Sequence, residues 1–304
     1  MKKKLLTAGL FFFIGFSLSA QEVDLDKMLD DEMEKKKKSQ VELAAATFKS
    51  TRIINGHSVE STQKGILDFR IQHRFGTLNQ GAYEFFGLDN ASMRIGFDYG
   101  LSDRLSIGIG RSTFGKQFDG FAKYRILWQS TGKKNMPISL TWVSSLMLQS
   151  LRNPDDGIKR NFSDRVFYAH QAIIARKFSP AFSLQLMPTM VHYNIVPTAT
   201  VPNDLFAIGS AARVKLTNSI ALMGEYYYQL PNNKLPGTTN SLALGVDIET
   251  GGHVFQLQFT NSTGMTERTF ITETTGKWGD GDIHFGFNIS RVFTIKKTKE
   301  LPQQ

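Results

Sequence analysis

The chain contains no cysteine among its 304 residues. A bacterial lipoprotein needs a cysteine immediately after its cleavage site, so lipid anchoring of that kind is excluded. The absence also suits export through an oxidising compartment, where stray thiols would be exposed to disulfide formation. The cysteine count therefore favours an exported protein without a lipid anchor.

Long apolar runs are equally scarce. The single one covers residues 5–18, follows Lys2, Lys3 and Lys4, and precedes the small residues Ser19 and Ala20. This order predicts a signal peptide over residues 1–20 that is cut near Ala20. Because no later run could span a bilayer as a helix, a membrane-embedded form of this chain would have to be a closed β-barrel.

Motifs that would indicate chemistry are also lacking. The formal net charge is +9, but the positive residues form no single strip, so we predict no nucleic-acid partner. The six histidines form no pair at metal-binding spacing, and the glycine-rich stretch Gly110–Lys116 is followed by Gln117, not Ser or Thr. The sequence therefore predicts no enzymatic activity, no catalytic residue, no metal site and no cofactor.

Residues 21–47 differ in composition from the rest of the chain. An acidic block is followed by the run Lys35–Lys38, and Leu25, Leu29 and Met33 fall at helical spacing. These features predict a charged periplasmic helix, or a disordered linker. The alternative interpretation is an arm that docks on a partner or serves as a plug.

From Gly65 onward, apolar and polar residues alternate. Leu67, Phe69 and Ile71 alternate with Asp68 and Arg70, and about twelve such runs follow one another as far as Ile295. Strict alternation is typical of strands with one apolar face. The runs are joined by connections that alternate between long and short, which is typical of outer-membrane barrels.

The fold class that follows is all-β: an antiparallel transmembrane β-barrel of about twelve strands, preceded by the signal peptide and the charged segment. We assign the barrel to residues 48–295 and a polar C-terminal tail to residues 296–304. A barrel of this size is too wide for apolar side chains alone to fill, so we expect the apolar strand faces to contact lipid. The predicted location is the cell outer membrane.

Several stretches resemble a family of bacterial outer-membrane β-barrels catalogued only as a domain of unknown function. They are Thr47–Ser61, Phe69–Gly76, Phe85–Ser112 and Asp119–Leu127. The resemblance implies an outer-membrane barrel from about Thr47 to the last strand, and it implies no reaction or ligand.

Charged residues at the inward positions of the strands are the candidate functional residues. They are predicted to line the lumen as a network that fills it, as a pore with a basic excess, or as both. The basic candidates are Arg70, Arg74, Arg94, Lys123, Arg125, Arg213 and Lys215, and the acidic ones are Asp68, Asp98, Glu225 and Asp247.

Two functions remain open at this point. The first is a passive channel or transporter for small polar solutes, with anions favoured by the basic excess. The second is a non-enzymatic structural or docking barrel whose outer loops or N-terminal arm bind a partner. The expected partners are outer-membrane lipid, the barrel assembly machinery and, through the N-terminal arm, a periplasmic protein.

Overall fold

The computed structural model describes residue 29 and residues 32–33, 40–152, 161–250 and 253–296. The predicted signal peptide, most of the charged segment and nearly all of the predicted C-terminal tail lie outside these residues. Leu29, Glu32 and Met33 are helical. No helix in the described part of the chain is long and apolar enough to cross a membrane.

The described chain forms a closed antiparallel barrel of twelve strands, which confirms the predicted fold class. Each strand pairs with the next along the chain, and the last pairs with the first. The barrel strands are β2 (Ile66–Thr77), β3 (Ala91–Gly100), β4 (Leu105–Ser112), β5 (Gln117–Leu127), β7 (Ser139–Gln149), β8 (Val166–Lys177), β9 (Phe182–Tyr193), β10 (Asp204–Lys215), β11 (Ile220–Gln229), β12 (Ser241–Thr250), β13 (His253–Thr260) and β14 (His284–Thr294).

Two short strands lie outside the barrel. β1 (Val41–Leu43) pairs with β6 (Ser130–Gly132) in a separate two-stranded sheet. An α-helix, α1 (Glu267–Thr272), lies between β13 and β14. Single turns of 3-10 helix occur in other connections, at Leu78–Gln80, Phe85–Gly87, Phe114–Lys116, Ser163–Arg165 and Trp278–Asp280.

The barrel has a turn end and a loop end. The turn end carries the connections 101–104, 128–138, 178–181 and 216–219, and the described chain enters and leaves the barrel there. The loop end carries the connections 78–90, 113–116, 150–165, 194–203, 230–240 and 261–283, of which the last is the longest. The predicted strict alternation in length fails twice. Only four residues join β4 to β5 at the loop end, whereas the connection 128–138 at the turn end is longer because it contains β6.

Alternate residues of each strand face inward, as the period of two requires. In β3, Arg94 and Asp98 are buried, while Phe97 on the opposite face is exposed. The predicted assignment of apolar faces to the outside therefore agrees with the structure. The inward face is more varied than expected, because across β7–β11 it is largely apolar and includes Val143, Met147, Ile173, Met187, Val191, Met223 and Tyr227.

Candidate functional site: an occluded barrel lumen

The chain just before the first barrel strand lies inside the barrel. We call residues 47–64 the plug segment. Residues 52–59 are all buried, although none of them belongs to a strand of the barrel. A twelve-stranded barrel leaves a lumen that its own side chains cannot fill, and this segment occupies that space.

The plug segment enters and leaves the lumen at the turn end. Before it, the amide of Ala44 donates to the carbonyl of Gln129 at 2.8 Å. After it, the amide of Gly65 donates to the carbonyl of Gly100 at 2.9 Å, and Gly65 turns the chain into β2 with φ of 76°. A side chain at Gly65 would meet the carbonyl oxygen of Lys296, so this position requires glycine.

The deepest part of the plug segment is a tight reversal. The amide of Ile53 donates to the carbonyl of Gly56 at 2.8 Å, and Arg52 bridges to His57 in antiparallel fashion. Gly56 packs directly on β11, where an added Cβ would lie 2.1 Å from the hydroxyl oxygen of Tyr227. Only glycine therefore allows the tip to come this close to the wall.

A single carboxylate of the wall binds the tip. Glu225 in β11 is 3% exposed and accepts hydrogen bonds from the amides of Ile54, Asn55 and Gly56, at 3.2, 3.2 and 2.9 Å. Backbone amides buried away from a sheet need such acceptors, because an unpaired buried amide is costly. Glu225 thus replaces the partner strand that this turn lacks.

Other wall side chains serve the remaining plug backbone. Gln185 accepts from the amide of Val59 at 2.7 Å and donates to the carbonyl of His57 at 2.8 Å. Arg125 donates to the carbonyl of Val59 at 2.8 Å and pairs with Glu60 at 3.0 Å. Further donors to plug carbonyls are Lys123, Thr141, Gln256 and Asn288.

Apolar contacts complete the closure. Phe48, Ile53, Ile54 and Val59 of the plug segment form one hydrophobic cluster with the apolar inward side chains of β7–β11. The apolar half of the wall therefore faces the apolar residues of the plug segment, which removes both from water.

The connection between β13 and β14 also enters the lumen, from the loop end. We call residues 261–276 the lumen loop. All six residues of its helix α1 are buried, and the helix begins with a capping box between Thr266 and Thr269. Thr266 also donates to Gln117 of the wall at 2.6 Å, and the ring of Phe270 packs edge-on against Tyr227. The alternating lengths of the connections predict an outer loop here, and the structure corrects this prediction by placing the loop inside the barrel.

The plug segment and the lumen loop are joined by a buried ion pair. Arg52 and Glu267 lie 2.8 Å apart, and each side chain is 2% exposed. Burial raises the pKa of Glu267, but the charge of the Arg52 guanidinium opposes this effect, and the pKa lies below its usual range.

His57 lies in the same cluster. Its Nε2 is 3.2 Å from Oε1 of Glu267, without the geometry of a hydrogen bond. Complete burial and the charge of Arg52 lower the pKa of His57 well below its ordinary value, and Lys123 adds to that effect. The imidazole is therefore neutral in the closed barrel.

The structure places the predicted lumen residues on the inner face of the barrel, where most of them contact one another or the plug segment. Ten of the eleven are buried, and Lys215 is partly exposed near the turn end. Asp68 pairs with Arg70 at 2.6 Å, and Arg74 donates to Asn55 of the plug segment at 2.8 Å. Further contacts of this set join Asp98 to Thr51, Asp247 to Gln256, and Arg213 to Glu249.

Two acidic partners of these residues were not predicted from the sequence. Asp119 lies at an inward position of β5 and binds Arg94 through both carboxylate oxygens. Glu249, at the end of β12, pairs with Arg213 at 3.3 Å and with Lys49 of the plug segment at 2.8 Å. Asp119 could have been found from its parity with Lys123. With both added, six acidic residues stand against seven basic ones, so the basic excess is smaller than the sequence suggested.

Of the cavities beside the plug segment and the lumen loop, two lie at opposite ends of the barrel. One of about 710 Å³ lies at the turn end, between the plug segment and β2, β12, β13 and β14. The other, of about 470 Å³, lies at the loop end beside α1. No group of three or more His, Asp or Glu side chains in the described residues could hold a metal ion.

Comparison with known proteins agrees with this architecture. The sequence matches the family described as "Membrane bound beta barrel domain (DUF5777)" over residues 48–293. The match begins inside the plug segment and ends in β14, so the plug segment and the barrel wall fall within the same domain. No curated protein matches the sequence.

Several solved structures share the barrel architecture at low sequence identity. The NanC porin has a TM-score of 0.46 and 8% identity, covering 76% of this chain and 100% of that one. The KdgM porin has a TM-score of 0.44 and 10% identity, covering 75% and 99%. An outer membrane channel from Pseudomonas putida F1 has a TM-score of 0.47 and 12% identity, covering 77% and 97%. Scores of this size carry no argument about function.

Proposed function

We propose that this chain, which belongs to the family of membrane-bound β-barrel domains, is a gated passive channel for small polar solutes in the outer membrane. In this account the plug segment holds the lumen closed, and its displacement toward the turn end opens a path. The turn end faces the periplasm, since barrels of this class have short turns and both chain ends on that side.

One observation carries the proposal. No barrel strand pairs with residues 47–63 in the described chain, so wall side chains hold the plug segment in place of a β-ladder. Because it enters and leaves at the same end, the segment can be withdrawn without breaking any strand pair of the barrel. A segment that filled the lumen permanently would not need to lack strand pairing and to enter and leave at the same end.

The charged wall supports the same interpretation. Lys123, Arg125 and Glu225 bind the plug segment through its backbone or through Glu60, and these contacts could exchange for water once the segment leaves. An open lumen would then expose charged side chains across β2–β5, which suits polar solutes. Seven basic and six acidic wall residues predict only a slight preference for anions. We assign no catalytic role to this site.

A second function is favoured by a different observation. Val41 and Leu43 of β1 are about half exposed, and the sheet that they form with β6 lies outside the barrel at the turn end. This sheet is a surface on which a periplasmic partner could dock, with the barrel as its membrane anchor. We also propose that the apolar outer face contacts membrane lipid and that the barrel assembly machinery inserts the chain.

Liposome swelling tests the channel proposal. Vesicles containing the full chain should swell slowly in an isosmotic solution of a small sugar. Vesicles containing a chain that lacks residues 22–62 should swell rapidly. The control is a gel comparison of boiled and unboiled protein, because a closed barrel resists unfolding in detergent. A deleted chain that remains heat-modifiable but gives no swelling would overturn the channel proposal and favour the docking barrel.

If the deleted chain does not assemble, full-length Glu225→Gln replaces it in the same assay. Faster swelling than the full-length parent is expected, because the tip of the plug segment loses its carboxylate acceptor. An unchanged rate, together with a displaced plug segment, would again count against a channel.

A further inference from the structure

The cavity at the loop end has the composition of a ligand site. Its volume of about 470 Å³ lies within the range typical of small-molecule pockets. Two aromatic side chains of the wall, Phe167 and Tyr193, form its floor together with Arg268 of α1. The apolar members of its lining are Leu151, Ile195, Val196, Pro197 and Leu235.

Arg268 is the best-placed polar group in this cavity. Its guanidinium carbon lies 3.7 Å from the centre of the Phe167 ring, which fixes the plane of the group. Its Nε and Nη2 bind Oε1 of Glu273 at 2.8 and 2.7 Å. Its Nη1 makes only a long bond of 3.4 Å to Gln149, so it retains capacity for an acceptor.

Glu273 is less suited to hold a ligand. Its Oε1 already accepts from Arg268 and, at 3.2 Å, from the hydroxyl of Tyr193. Among the described residues that line the cavity, the charged ones give one more positive than negative charge: Arg152, Arg165 and Arg268 against Asp164 and Glu273. Charge and hydrogen-bonding capacity therefore both favour an anion over a cation.

We propose that this cavity binds a small organic anion with a flat apolar body, whose anionic group takes the place of Glu273 on Arg268. The apolar body would lie between the aromatic floor and the side chains of Val196 and Leu235. A planar guanidinium favours carboxylates, since it can donate two parallel hydrogen bonds to them.

The site is connected to the plug segment by the sequence of α1. Glu267, the neighbour of Arg268, holds Arg52 of the plug segment at 2.8 Å. Both residues belong to one short helix, so a shift of the helix that moves Arg268 also moves Glu267. A ligand that draws Arg268 away from Glu273 would therefore weaken the Arg52–Glu267 pair and favour release of the plug segment. This coupling rests on the proposed gating function, whereas the binding site itself does not.

Calorimetric titration of the full chain in detergent tests the site. The probe is benzoate, compared with its neutral analogue benzamide and with the cation benzylamine. Benzoate should bind at least about tenfold more tightly than either, because only benzoate brings a negative charge and two equivalent acceptor oxygens to Arg268. Equal binding of benzamide, tighter binding of benzylamine, or no benzoate binding at millimolar concentration would overturn the site.

Three variants identify the contact. Arg268→Gln should abolish benzoate binding. Glu273→Gln should tighten it, because the guanidinium is released from its carboxylate, and a purely structural role of Glu273 would not produce a gain. The matched control is Arg111→Gln, which removes an arginine that also lies at the loop end and stacks on Phe118, away from the cavity. Unchanged affinity in Arg268→Gln would overturn the site.

The coupling has its own test. The chain lacks cysteine, so Ser58→Cys places a unique thiol in the plug segment, at a residue that is fully buried. Benzoate should speed labelling of this thiol, and Glu267→Gln should remove that acceleration. Benzoate binding without faster labelling would overturn the coupling and leave the site. A thiol that never reacts, even in Glu225→Gln, would instead overturn the gating function.

Discussion

The amide of Gly56 donates a 2.9 Å hydrogen bond to Oε2 of Glu225, which joins the tip of the plug segment to β11. Glu225 accepts two further amides from the same turn, so one carboxylate holds three consecutive residues in the lumen. A hydrogen bond to a charged group contributes about 1.5–3 kcal/mol, more than a neutral one. Removal of this one carboxylate should therefore weaken the closure of the barrel.

Replacing Glu225 by Gln should loosen the plug segment. The amide side chain keeps the shape but loses the charge, and its NH2 group would face backbone donors. We expect labelling of a Ser58→Cys thiol to become about ten to a hundred times faster, which corresponds to a loss of about 1.5–3 kcal/mol. The control is Asp204→Asn in the neighbouring strand β10. The carboxylate of Asp204 binds His192, not the plug segment. Equal rates in the two variants would show that Glu225 does not hold the plug segment.

Closure should weaken at mildly acidic pH. The pKa of His57 is lowered in the closed barrel, so the closed state excludes a proton that the released segment takes up below about pH 6.5. The contribution of His57 to the stability of the closed state is complete above that pH and decreases as the pH falls. The lowered pKa of Glu267 acts in the same direction, but only below about pH 4.5. The window between pH 7.5 and 5.5 therefore separates the effect of His57 from that of Glu267.

The measurement is the labelling rate of Ser58→Cys across that window, divided by the rate of an exposed thiol at Ser179→Cys. The ratio should rise as the pH falls, by up to about tenfold for each pH unit below 6.5. His57→Gln should remove the rise. A ratio that stays flat in the parent protein would show that His57 does not titrate on release.

The unplugged barrel should prefer anions only weakly. The pairing of Arg94 with Asp119 and of Arg213 with Glu249 leaves seven basic against six acidic wall residues. A reversal potential measured across a salt gradient at low ionic strength should therefore favour chloride slightly, and the preference should fade as salt screens the wall. Arg125→Glu inverts the count and should favour potassium. Strong cation selectivity before that change would contradict the assigned wall charges.

The strands were predictable because their cause is local. In β2, Leu67 and Phe69 alternate with Asp68 and Arg70, and that period of two indicates both the strand and the face that contacts lipid. The inward parity of Glu225 was predictable for the same reason. Which group it binds was not, because its partner Gly56 lies 169 positions away in the chain.

The plug segment left a weaker signal. Ile53, Ile54 and Val59 follow neither a helical nor a strand period, and their burial depends on wall residues far along the chain. A plug was considered for residues 21–47, whereas the structure places the residues that follow them in the lumen. The position of the lumen loop inside the barrel was not predicted either. Its threonines, such as Thr266 and Thr269, are also typical of exposed loops, so the local sequence does not indicate burial.

The most direct test of a plug-gated barrel is the ionic current through Gly56→Ala in a planar bilayer. The added Cβ would lie 2.1 Å from the Tyr227 hydroxyl oxygen, so the tip must leave its seat on β11. Tyr227→Phe removes that oxygen, and the next ring atom would lie 3.2 Å from the Cβ. We predict sustained current in Gly56→Ala and little current in the parent chain and in the double variant Gly56→Ala/Tyr227→Phe. Equal currents in all three proteins would contradict the account.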